Sequence, residues 1–122
     1  MNLKRQPQPP EYPQYLSREE IQAATEEAIK HFCHPRLDHR ELNDRLTAYL
    51  TALMLMVDHQ MACRPHDPEH SSRGAALAQA RWILDQPPAR GCRAEAKRVH
   101  ALSVRVDDLL RYLPRDERCP TR

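Results

Sequence analysis

The sequence predicts an all-α fold: an antiparallel up-and-down four-helix bundle with an extended Pro-rich N-terminal arm and a short C-terminal tail. Three observations carry this. The 122 residues hold 11 prolines but only 2 glycines, and the prolines leave four long proline-free windows, 14–34, 36–64, 69–86 and 89–113. Proline inside a helix costs about 3 kcal/mol, so each window is a stretch in which a helix is permitted and each boundary a place where it must stop. Within every window the apolar residues recur at helical spacing. Finally, 40% of the residues are hydrophobic but only 5% aromatic, a balance suited to packed helices rather than to an aromatic-rich sheet.

Residues 1–15 read as an arm. Pro7, Pro9, Pro10 and Pro13 favour polyproline II, with Tyr12 and Tyr15 available for docking. Lys4-x-x-Pro7-x-x-Pro10 has the form of a proline-motif ligand, but a stiff segment lying on the bundle is the favoured reading.

Residues 16–113 are expected to form the bundle, with helices over about 17–34, 38–63, 68–86 and 90–113. In the first, Ser17 and Glu20 make a capping box and Leu16 can staple onto Ile21. Ile21, Ala24, Ala28, Ile29 and Phe32 then line one face, and His34-Pro35 ends the helix. The second repeats the grammar with Asp38 and Glu41 as the box and Leu37 and Leu42 as the staple. Its main stripe is Leu42, Leu46, Tyr49, Leu50, Leu53, Val57 and Met61, with Ala48, Ala52 and Leu55 on the flank. Met54 and Met56 widen the apolar arc. A helix so apolar around its middle must be covered on more than one side, either as the central helix or as part of a homodimer seam.

The third helix is expected to begin at Asp67-Pro68 or at Ser71. Ala76, Leu77, Ala80, Ile83 and Leu84 supply its apolar face, Trp82 lies beside that face, and Pro87-Pro88 stops it. In the fourth, Val99, Leu102, Val106, Leu109, Leu110 and Leu113 repeat at near-heptad spacing before Pro114. Residues 114–122 read as a flexible tail. The connections are short, so sequential helices should run antiparallel.

This composition excludes several functions. Two glycines cannot build a phosphate-cradling loop. The longest apolar run, Ala52–Val57, is far too short for a membrane span, and a cytoplasmic chain with reduced Cys33, Cys63, Cys92 and Cys119 is expected. In the bundle Cys33 and Cys92 fall at one end and Cys63 and Cys119 toward the other, so either pair could bridge. His59 and Cys63, four apart on one helix, have the spacing of a metal half-site, whereas His31, Cys33 and His34 lie about 30 Å away at the other end of the helix. No Cys-x-x-Cys and no Glu-x-x-His occurs. With no nucleophile beside Asp58-His59, neither catalytic residues nor a cofactor are expected, and the chain reads as a non-enzyme.

Two surfaces remain as candidates. Arg90, Arg93, Lys97 and Arg98 form a basic start to the fourth helix, suited to phosphate or to an acidic protein. Met54, Leu55 and Met56 supply an apolar excess suited to a protein interface. The net charge of only +2 argues against a dense nucleic-acid stripe. The expectation is a non-enzymatic helical interaction module, an adaptor or inhibitor of the kind a phage or mobile element directs at host machinery, with a homodimer through the second helix as one form it could take. The alternatives are a nucleic-acid-binding regulator using the basic helix start and a metal-dependent activity at His59 and Cys63.

Overall fold

A computed structural model of the chain describes residues 16–114. Four helices follow in order: α1 (Arg18–Cys33), α2 (Arg40–Cys63), α3 (His70–Leu84) and α4 (Cys92–Leu110). They pack as an antiparallel bundle, and no strand occurs among the described residues. The expected arm, and the tail beyond Pro114, lie outside the described residues.

The helix ends obey local chemistry. Ser17 accepts a hydrogen bond from the Glu20 N–H at 3.2 Å, as the capping box requires. The second box is corrected: His39, not Asp38, occupies the N-cap of α2 and makes no side-chain cap. Asp38 instead accepts from the Arg40 N–H at 3.0 Å, because the His39 ring is turned inward against His31. Leu37, the expected staple, is exposed. At α3 the Asp67 carboxylate accepts from the Glu69 N–H at 2.7 Å, and the helix proper begins at His70. That hydrogen bond, ahead of Arg73 nearby, holds the Asp67 carboxyl below its ordinary range. The stabilisation it brings is present above the ordinary carboxylate range and lost as pH falls through the lowered value. Asp67→Asn should therefore flatten the acid limb of a stability–pH curve measured by urea denaturation. Gly91, with φ 94°, turns the chain into α4 where a side chain would be strained.

α4 is the axis of the molecule. With α2 it forms the centre: each of the two packs against all three other helices, and α1 and α3 flank the pair without meeting each other. Val99, Leu102, Val106 and Leu109 of α4 are completely buried, facing Leu46, Leu50, Leu53 and Val57 of α2. This placement absorbs the apolar excess of α2 within the chain. Met56 is 2% exposed and Met54 packs half-buried against the core, while Leu55 alone remains at the surface. The α2 homodimer seam therefore loses its basis. α1 departs from expectation too: Ile29 and Phe32 point outward and His31 takes the inner position.

The end opposite the α1–α2 turn is tied by polar contacts. Arg73, almost wholly buried, donates to Gln60 at 3.0 Å, pairs with Asp67 at 3.4 Å and stacks over Tyr112 at 4.7 Å. Gln60 in turn donates to the Tyr112 carbonyl, and Arg18 to the Leu113 carbonyl. Buried donors that find acceptors in this way avoid the desolvation cost of unmade hydrogen bonds.

Candidate functional site

Arg93, Lys97, Ala101, Val104 and Asp108 recur at spacings of four, four, three and four, and so form one stripe along α4. Because α1 and α3 flank α4 without touching, this stripe faces outward between them. A groove runs along each side of it. On the α1 side Phe32 and Cys33 meet Arg93, Ala96 and Lys97. On the α3 side Gln79, Trp82 and Ile83 meet Ala101, Val104 and Arg105.

Two exposed aromatic rings of the bundle thus border the same stripe. Trp82 is 64% exposed and Phe32 is 44% exposed, with its ring 4.7 Å from that of His100. Large exposed apolar groups clustered on one face are the feature that distinguishes a docking surface from scattered surface leucines. Charge divides along the stripe. Arg93 and Lys97 stand toward the start of α4 and have no ion-pair partner among the described residues. Asp107 and Asp108 stand toward its end, where Asp108 holds Arg105 at 3.4 Å. Arg111, at the same end, is turned to Glu69 at 3.9 Å and lies over Tyr112.

The basic start of α4 is therefore not one patch. Arg93 and Lys97 share the outward stripe, and Arg90 lies exposed before the helix begins. Arg98 points the other way, into a groove of about 430 Å³ lined by His39, Asn43, Asp44, Leu84 and Glu95. Its Nε is buried without a hydrogen-bond partner. The apolar candidates also separate: Met56 belongs to the core, Met54 packs against it, and Leu55 stands on the far side of the molecule from the α4 stripe.

His59 Nε2 and Cys63 Sγ lie 3.4 Å apart at the surface, as their spacing implies. No group of three or more metal-ligating side chains forms there or elsewhere among the described residues. Cys33, Cys63 and Cys92 are free and exposed, and Cys119 lies outside the described residues.

One polar cluster has no counterpart among the sequence motifs. His31 and His39, 7% and 2% exposed, bring their Nδ1 atoms to 2.8 Å across the α1–α2 turn. His39 Nε2 sits 2.7 Å from the Pro35 carbonyl, an acceptor, so Nε2 carries a proton. In a neutral His39 the Nδ1 is then the acceptor, and His31 Nδ1 must be the donor. His31 Nε2 faces Glu27 at 3.6 Å, and Glu27 is held by Arg45 at 2.9 Å. His39 thus orders the turn through both of its ring nitrogens. Three of the four ring nitrogens are engaged in hydrogen bonds that tie α1 to the α1–α2 turn, so the cluster reads as a latch between α1 and α2. Its only signal in the sequence is the presence of two histidines astride a short turn.

The model of a family of unknown function matches residues 17–118, which include all four helices. No curated protein and no solved structure matches the chain.

Proposed function

We propose that this chain, which belongs to DUF6415, a family of unknown function, is a non-enzymatic helical interaction module that binds another protein through the outward face of α4. The observation that carries this is the convergence of Trp82 and Phe32 on one stripe whose cations, Arg93 and Lys97, lack partners among the described residues. Aromatic and Arg side chains dominate binding energy at protein interfaces. The partner surface that fits carries apolar side chains flanked by carboxylates, which would meet Val104 and Trp82 and pair with Lys97 and Arg93.

Nucleic acid fits this face less well. A phosphate backbone needs a continuous run of cations, whereas Arg98 is diverted to another groove and the far end of the stripe is acidic. The module is read as cytoplasmic on the free thiols of Cys33, Cys63 and Cys92, which a reducing compartment preserves.

The test is position-dependent photo-crosslinking in the native host. A crosslinking residue at Trp82 or Phe32 should capture a discrete protein, and one at Thr51 on the exposed side of α2 should not. Equal labelling from both faces, or capture of nucleic acid alone, would sink the reading. Trp82→Ala should weaken association roughly thirty-fold, the scale of a hot-spot residue. It should barely change thermal stability, because most of the ring is already in solvent.

A further inference from the structure

A surface of the chemistry required of the partner is present on the chain itself. We infer that the α4 face is occupied by a second copy of this chain, in an antiparallel α4–α4 contact about a twofold axis crossing α4 between Ala101 and Val104. This rests on the reading of that face as a docking surface and names its occupant.

The case is one of self-complementarity. A twofold contact uses the same patch on both subunits, so each residue must suit the one it meets when the patch is turned end for end. The stripe satisfies this. Reversed about the midpoint of Ala101 and Val104, Lys97 falls opposite the partner's Asp108, and Ala101 opposite the partner's Val104. Arg93 and Lys97 at one end thereby approach the partner's Asp107 and Asp108 at the other. Both cations at the acidic end are already held within the chain, Arg105 by Asp108 and Arg111 by Glu69, which leaves Asp107 without an ion-pair partner among the described residues. A parallel arrangement would set Lys97 against the partner's Lys97 and bring the two acidic ends together, so charge selects the antiparallel form.

Side-chain size agrees. Ala101 and Val104 at the crossing point are small enough for two helices to approach at ordinary packing distance. Turning the face about an axis perpendicular to α4 keeps α3 beside α3. Trp82 borders Ala101 and Val104, so it lies at the level of the axis and meets the partner's Trp82. The contact also closes on itself. Using the patch twice leaves none of it to recruit a third chain, which makes an indole this exposed tolerable.

The experiment uses the purified full chain. Sedimentation at about 100 µM should give a dimer. Trp82 is the one tryptophan of the chain, so its emission should shift to the red on dilution as the indole becomes wet. Lys97→Glu and Asp108→Lys should each raise the dissociation constant about tenfold, because each sets like charges together at two symmetric places. The double variant Lys97→Glu with Asp108→Lys should regain most of the affinity, since positions 97 and 108 again face each other with opposite charges. Val104→Glu should give a monomer with an unchanged helical circular dichroism spectrum. A chain that stays monomeric at this concentration overturns the second-copy inference, and crosslinking from Trp82 to a different protein would then leave the docking face standing. A dimer insensitive to all of these substitutions forms on another face and overturns the α4–α4 contact. A charge swap that rescues nothing overturns the antiparallel register.

Discussion

Met56→Asp should abolish the cooperative fold, while Leu55→Asp, one residue earlier, should leave it intact. The two side chains differ only in where α2 points them. Met56 is 2% exposed among Leu53, Val57 and the α4 core, whereas Leu55 faces water. Deleting a buried methionine side chain costs about 2–5 kcal/mol, and an unpaired carboxylate in its place adds several more unless it takes up a proton. A domain of this size is stable by only about 5–15 kcal/mol, so the sum is comparable with the whole stability. Thermal melting followed by circular dichroism checks it. A Met56→Asp chain that melted like the wild type would mean that α2 is not covered by its own chain and would restore α2 as a surface.

His39→Ala should destabilise the protein by about 2–4 kcal/mol, an unusually large effect for a residue in a turn. The substitution removes the acceptor for the His31 Nδ1–H and the donor to the Pro35 carbonyl at once, and leaves a cavity between α1 and α2. His39→Asn should recover part of the loss, because its side-chain oxygen can stand where Nδ1 stood and accept from His31. Urea denaturation of the three proteins gives the comparison. Nitrogen-15 spectra of the imidazoles add an independent reading: His39 should carry its proton on Nε2 and His31 on Nδ1. If His39→Ala cost no more than an ordinary surface change, the ring pair would not be the latch described.

The face proposed for binding shows why the site is harder to read than the fold. Periodicity assigns Phe32 to the core because it shares the helical phase of Ile21, Ala24 and Ala28. On a helix that packs chiefly against one neighbour, however, the apolar arc is wider than the buried arc. The position at its edge becomes a rim residue, and in α1 the inner place goes to His31. Periodicity sets Trp82 only beside the α3 face, and that is where it stands. Its significance comes from α4, whose Ala101 and Val104 lie across the groove from it. The methionines of α2 go the other way. Their excess looks like surface for a helix with two neighbours, and is interior because α2 packs against three helices.

The sequence by itself determined the number of helices, their approximate limits and their antiparallel order. Those depend on local interactions: proline excludes itself from helix interiors, Ser17 caps the start of α1, and short connections fold the chain back. Tertiary structure alone decided that α4 shares the centre with α2, which edge of each apolar arc stays wet, and how the basic start of α4 divides between two grooves. Those outcomes depend on the rotation of each helix about its own axis. That rotation is fixed by the simultaneous packing of residues far apart in the chain, which periodicity along a single helix does not encode.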